Sequence, residues 1–384
     1  MIPYGRQQID AADIAAVIDT LQSDFLTQGP KVPAFEQAVA RQCQARFAVA
    51  MNSATSALHL ACLALQVGPG DRVWTSPISF VASANCALYC GADVDFVDVD
   101  ASTGLMDPAQ LAIKLEQAAT TNTLPKVLIP VHLAGHSCDM QRIAALCQPY
   151  NIRIIEDASH AIGGYYQHRP VGCCQYSDIT VFSFHPVKII TSAEGGMALC
   201  NDPALDNQLR LLRSHGITRD AADMTEASHG PWYYQQIGLG FNYRITDLQA
   251  ALGLSQLDRL QQFVHQRIKA TELYQQLLQD LPVELPAPAV DGVSAWHLYI
   301  VRLHQPAKRL QVFESLRAAG IGVNVHYIPI HTQPYYQKLG FDWGQFPDAE
   351  QFYSQIISLP LFAGITPAQQ QQVADALRLA CSEL

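Results

Sequence analysis

The chain has 384 residues, enough for more than one domain, with 49% hydrophobic and only 15% charged residues; this describes a compact globular protein rather than a disordered one. Its net charge of −10 and the lack of any Lys/Arg run argue against a nucleic-acid partner. No uninterrupted apolar stretch of about 18 residues suggests a membrane span, and the opening MIPYGRQQID has no signal-peptide pattern, so a cytoplasmic protein is expected. Ten cysteines without a single CxxC pair read as reduced thiols packed as small apolar residues, not as a metal site or a disulfide framework.

In chain order, short apolar runs alternate with amphipathic stretches. Strands are predicted at Phe47–Met51, Arg72–Thr75, Val94–Asp98, Lys126–His132, Arg153–Glu156 and Asp178–Phe184. Helices fall between them, including Ser56–Leu65, where Ala57, Leu58, Ala61, Cys62 and Leu65 share a face, and Asp139–Tyr150. This alternation predicts an α/β fold, a mostly parallel sheet covered by helices on both faces. Thr246–Leu281 reads as a long helix or a helix pair, and a Pro-rich connection then ends at Asp291-Gly292. A smaller α+β unit follows: strand His297–Leu303, helix Lys308–Ala319, strand Ile321–His326, and helices Asp348–Ile357 and Pro367–Cys381. The expected division is 1–250 for the large domain and 251–384 for the connecting helix and small domain.

Ligands of open α/β sheets bind beyond the carboxyl ends of the strands, and several polar residues fall there. GxxxxGK[ST], HExxH and GxSxG are absent, and Gly238-x-Gly240 lacks both a third glycine and a preceding strand. Lys188 leaves a strand among Val187, Ile189 and Ile190. It is either an exposed loop lysine or an amine desolvated enough to be neutral and nucleophilic. Asp157 closes IRIIED at a strand end, where a carboxylate can hold the proton of a pyridinium, or else cap a helix or join an ion pair. Asn52-Ser53-Ala54-Thr55-Ser56 precedes a helix and suits a phosphate dianion, although the same residues make an ordinary N-cap. Ser183 offers a further hydroxyl. Phe80 in TSPISF can stack on a cofactor ring or belong to the core.

The order of these pieces resembles one family, the nucleotide-sugar aminotransferases of the fold-type I pyridoxal-phosphate enzymes. The resemblance spans the chain: FLTQGPKVPAFE, NSATSALHLA, VHLAGHSCDM, IIEDASHAIGG, FSFHPVKIITSAEGG, LRSHGI, LGFNYRITDLQAALG and VHYIPIHTQPYY. It implies a seven-stranded, mostly parallel sheet in the large domain and pyridoxal 5'-phosphate as cofactor, with Lys188 forming the Schiff base and moving the proton. Asp157 would pair with the ring nitrogen, and His160, where the family usually has Gln, would lie beside the ring hydroxyl. Ala54, Thr55 and Ser183 would hold the phosphate, joined by Asn242 from the neighbouring subunit of a homodimer. For the nucleotide sugar it points to Tyr4, Thr27, Gln28, Gly29, Ser56, His326, Tyr327, Ile328, Pro329 and His331. Within the family the Lys segment is most similar to enzymes of pseudaminic acid synthesis. That implies transfer from L-glutamate to C4 of a UDP-linked 4-keto-6-deoxy-N-acetylhexosamine. Amination of another nucleotide-linked ketosugar and a non-catalytic sugar-nucleotide-binding regulator are the alternatives. A related 3-dehydratase would carry His in place of Lys188.

Overall fold

The structure is a computed structural model that describes residues 1–289 and 291–382. Seven strands form one sheet in the order Phe47–Met51, Gly196–Cys200, Ile179–Ser183, Arg153–Asp157, Val127–Ile129, Arg72–Thr75 and Asp93–Phe96. Gly196–Cys200 runs antiparallel to both neighbours, and every other pairing in the sheet is parallel. The central strands Ile179–Ser183 and Val127–Ile129 are buried at every position, as expected of a sheet covered on both faces. Alternation along Phe47–Met51 shows the two faces directly. Val49 and Met51 enter one hydrophobic cluster with Leu58, while Ala48 and Ala50 enter the other with Phe35. Helix Ala54–Ala64 covers the first face and helix Lys31–Cys43 the second.

A second, antiparallel sheet of Val283–Glu284, Tyr299–Leu303 and Ile356–Leu359 packs under helices Arg309–Ala318 and Pro367–Ser382, through Val312, Leu316, Val373 and Leu377. Helix Leu260–Leu278 serves both layers. Its first turns place Leu260, Phe263 and Val264 against the large sheet, and its last turns place Ala270, Tyr274 and Leu278 in the second core. No described helix is long and apolar enough to cross a membrane.

Several elements differ from expectation. Thr246–Leu281 does not: of the two forms expected it is the helix pair, Asp247–Leu257 and Leu260–Leu278. The strand predicted at Lys126–His132 stops at Ile129, where Pro130 removes a ladder donor. Asp139–Tyr150 is an α-helix only to Cys147 and tightens into a 3-10 turn at Gln148–Tyr150, which contains Pro149. Ile321–His326 is not a strand; it makes only isolated bridges, Ile321 to Ile2 and Asn324 to Ser358. The helix expected at Asp348–Ile357 is Pro347–Gln355, and its end is the start of strand Ile356–Leu359.

Candidate active site

Four strands of the large sheet end at one cavity of about 430 Å³. Phe47–Met51 leads into Ser53, the N-cap of helix Ala54–Ala64, whose hydroxyl oxygen accepts from the Ser56 N–H at 3.1 Å. The N–H groups of Ala54 and Thr55, in the first turn, have no place in the intrahelical ladder and form the positive end of the helix dipole. Gly196 makes this turn possible. A Cβ there would meet the Ala54 nitrogen at 2.4 Å, so only glycine lets the reversed strand lie against the cradle. Ser183, at the end of the neighbouring strand, is buried and also lines the cavity.

Asp157 is 5% exposed, and three donors converge on its carboxylate. The Ser83 hydroxyl donates to Oδ2 at 2.6 Å, and the Ser159 hydroxyl and N–H donate to Oδ1 at 2.6 and 3.1 Å. Behind it Glu156 accepts from His132 Nε2 at 2.7 Å and from Thr180. Burial alone would raise the Glu156 carboxyl; those bonds bring it below the usual range.

Lys188 is half-buried on the cavity floor. Burial lowers its amine to about 8, against the opposing pull of Asp157. Four imidazoles line the wall, the exposed His185 and the buried His160, His297 and His326. Burial first, and the positive charge of Lys188 second among the causes for His160 and His326, push these rings well down, His326 to about 4. Burial, then His160, then Lys188 do the same to His297. All three buried rings are therefore neutral at physiological pH. Lys188 is the one Lys or Arg among the lining residues, and Asp157 and Glu194 are the acids.

The structure brings Ala54, Thr55, Phe80, Asp157, His160, Ser183, Lys188, Tyr4, His326 and Tyr327 to this cavity. Phe80 is exposed, its ring 6.4 Å from that of Tyr327. Other expected residues lie apart from it in the single chain. Ser56 turns inward, its hydroxyl donating to Asn52 at 2.6 Å. Thr27 bridges Thr246, and the Gly29 N–H donates to Asp247 at 2.8 Å, with Gln28 between them in a left-handed conformation. Ile328 and Asn242 are exposed elsewhere on the surface, and Pro329 opens the 3-10 turn Ile330–Thr332. His331 has no exposed side chain; it is bonded to Glu350 at 3.0 Å and packed on Phe346.

The cavity also contains residues that sequence reasoning passed over. Ser159, two residues after Asp157, fits the pattern of a side chain hydrogen-bonding two positions on. Ser83, three residues after Phe80, was also passed over; it does not line the cavity but is fully buried behind it, where it holds Asp157. His297 comes from the start of the second layer, and no local signal marks it.

Pyridoxal phosphate makes three demands: donors for a dianion, a carboxylate for the ring nitrogen, and an amine for the aldehyde. Residues that meet all three, Ala54, Thr55 and Ser183 for the first, Asp157 for the second and Lys188 for the third, line one cavity. Residues 7–378 match the DegT/DnrJ/EryC1/StrS aminotransferase family. The chain belongs to this family. It is accordingly a pyridoxal-phosphate-dependent aminotransferase. It is 39% identical to the spore coat polysaccharide biosynthesis protein SpsC of Bacillus subtilis (strain 168), over 98% of this chain and 96% of that one. Among solved structures, Helicobacter pylori PseC, an aminotransferase involved in the biosynthesis of pseudoaminic acid, superposes with a TM-score of 0.91 and 32% identity, covering 100% of both chains. Spr1654 from Streptococcus pneumoniae, in its PMP form, gives the same TM-score at 31% identity, also covering 100% of both chains.

Proposed function

We propose that this aminotransferase moves an amino group from L-glutamate to C4 of a UDP-linked 4-keto-6-deoxy-N-acetylhexosamine, a step of pseudaminic acid synthesis. The likeness to PseC over the full length of both chains carries this reading. When bound, pyridoxal phosphate supplies the electron sink for the carbanion. The protein supplies the rest. Lys188 Nζ, with its pKa near 8, holds the cofactor and then moves a proton to or from the substrate carbon. Asp157 keeps the ring nitrogen protonated. The Tyr4 and Tyr327 hydroxyls offer hydrogen bonds to sugar hydroxyls without adding charge, beside the imidazoles of His160 and His326, which are engaged with protein partners.

The charges of the cavity favour a homodimer. A single cation, Lys188, faces two acids, yet the ligands bring a phosphate and a diphosphate. The missing donors come, in this reading, from a second copy. Asn242 is exposed and follows a segment that presents Trp232 (74% exposed) and Leu239 (80% exposed) to solvent. A buried subunit interface would cover these apolar side chains.

The similarity to SpsC, which serves a spore coat polysaccharide, favours a second reading in which the acceptor is another nucleotide-linked ketosugar. Incubating the purified enzyme with glutamate and either the UDP-linked 4-ketosugar or a dTDP-linked one separates the two. Equimolar 2-oxoglutarate and aminosugar from the UDP compound alone supports the first. Turnover confined to the dTDP compound replaces it with the second.

A further inference from the structure

Arg267 is a buried cation that the reaction outlined above does not use. It projects from helix Leu260–Leu278 and is 2% exposed. Its Nη1 donates to the carbonyls of Trp296 at 3.1 Å, His297 at 3.2 Å and Leu361 at 3.1 Å. Its Nε has no partner, and no carboxylate among the described residues offsets its charge; burial alone acts on it, lowering it to about 10. A guanidinium without a counter-ion is costly to bury, so a role for its position needs to be sought.

The carbonyl of Trp296 and the N–H of His297 belong to one peptide group. Arg267 polarises that group from one side, and on the other the His297 N–H donates to the Ala134 carbonyl at 2.8 Å. Ala134 is held in a left-handed conformation, φ 59°, which L residues other than Asn and Asp rarely adopt. In that conformation its own N–H donates to His160 Nδ1 at 3.2 Å. A ring nitrogen that accepts carries no proton, so the proton of neutral His160 is on Nε2. Nε2 lies 3.1 Å from Tyr327 Oη. Tyr327 therefore accepts from His160, and its own hydroxyl proton is free to turn into the cavity that both residues line.

We propose that Arg267 is a positioning residue which, through the 296–297 peptide and Ala134, fixes His160 as the Nε2–H tautomer and so makes Tyr327 a hydrogen-bond donor to bound ligand. The His297 ring completes the arrangement: its centroid lies 4.4 Å from that of His160 and its buried Nδ1 has no partner, a contact that two charged imidazoles would not tolerate. Only the consequence for the ligand rests on the aminotransferase reading; the tautomer and its cause are properties of the protein alone.

The test is nitrogen-15 NMR of the histidine side chains in the full-length protein, before and after addition of pyridoxal phosphate, with the His160 signals assigned from His160→Gln. The wild type should show His160 as a single form, protonated at Nε2 and unprotonated at Nδ1. In Arg267→Met that single pattern should be lost to a mixture of tautomers. A wild-type His160 that carries its proton on Nδ1, or on both nitrogens, overturns the proposal. So does an unchanged His160 pattern in a folded Arg267→Met. If that variant does not fold, Arg267→Gln, which keeps donors and removes the charge, decides in the same way. The first spectra need no substrate, so a failure to aminate any sugar leaves this result standing, and the reverse also holds.

Discussion

Two opposing pulls act on the Lys188 amine: burial, which lowers its pKa to about 8, and the Asp157 carboxylate, which resists that fall. Only the neutral amine attacks an aldehyde. Capture of pyridoxal phosphate by the cofactor-free protein should therefore accelerate about tenfold per pH unit below the pKa and level off above about pH 8. Asp157→Asn removes the charge that raises the amine's pKa and should move the inflection lower. Stopped-flow absorbance measures both, and a rate independent of pH would contradict this account of the site. Lys188, Asp157 and Ser183 were legible in the sequence because each stands at or just beyond the carboxyl end of an apolar run. His297 was not legible, because nothing near it in sequence marks a cavity that packing alone brings it to. His331 misled for the opposite reason: polar and embedded in a family motif, it lies with Glu350 in the core of this chain rather than in the cavity.

The proposed phosphate cradle is built by two elements, the N-terminus of helix Ala54–Ala64 and the reversed strand Gly196–Cys200 behind it. Gly196→Ala should force them apart, lowering stability by about 1–3 kcal/mol as overpacking of a close contact does. The same change should weaken cofactor affinity more than it weakens stability, because it displaces the very N–H groups proposed to face the dianion. Thermal unfolding and a cofactor titration check this; a variant with wild-type affinity would show that Ala54 and Thr55 do not hold the phosphate. The reversed strand was not foreseen. Its run Gly-Met-Ala-Leu-Cys is short and follows directly on a Gly-Gly turn, and its direction is set by tertiary structure: no crossover helix lies between Ser183 and Gly196, so it returns antiparallel. The parallel strands, by contrast, announced themselves by apolar runs separated by helical periodicity. Ile321–His326 had the composition of a strand, but Gly322 lies tightly against the N-terminal Ile2–Tyr4 segment, which leaves only single bridges.

For the molecule as a whole, the charge of the cavity bears on assembly. One lysine cannot neutralise a phosphate and a diphosphate, so a shared site is the economical arrangement. Mixing inactive Lys188→Ala with an inactive Asn242→Asp variant under exchange conditions should restore part of the activity, because one of the two sites in each hybrid dimer is intact. No recovery from a mixture shown to form hybrids would mean that each chain completes its own site. The large, mostly parallel sheet and a smaller α+β layer after it followed from the order of apolar runs. The pairing of the second sheet did not, since its strand Ile356–Leu359 starts where the end of a helix was expected. Nor did the partnership between copies. In the proposed dimer it would rest on exposed side chains such as Trp232 and Leu239, which in a sequence look like any other apolar residues.

The central claim is that Lys188 carries the cofactor and passes protons in an amino-group transfer. Its most direct test is the absorbance spectrum of the purified protein with pyridoxal phosphate, beside Lys188→Ala, before and after L-glutamate. The account predicts a visible band of lysine-bound cofactor in the wild type alone, which glutamate converts to the pyridoxamine form. Identical spectra from wild type and variant would contradict it, and would leave a family member that binds its ligands without Lys188 performing the transfer.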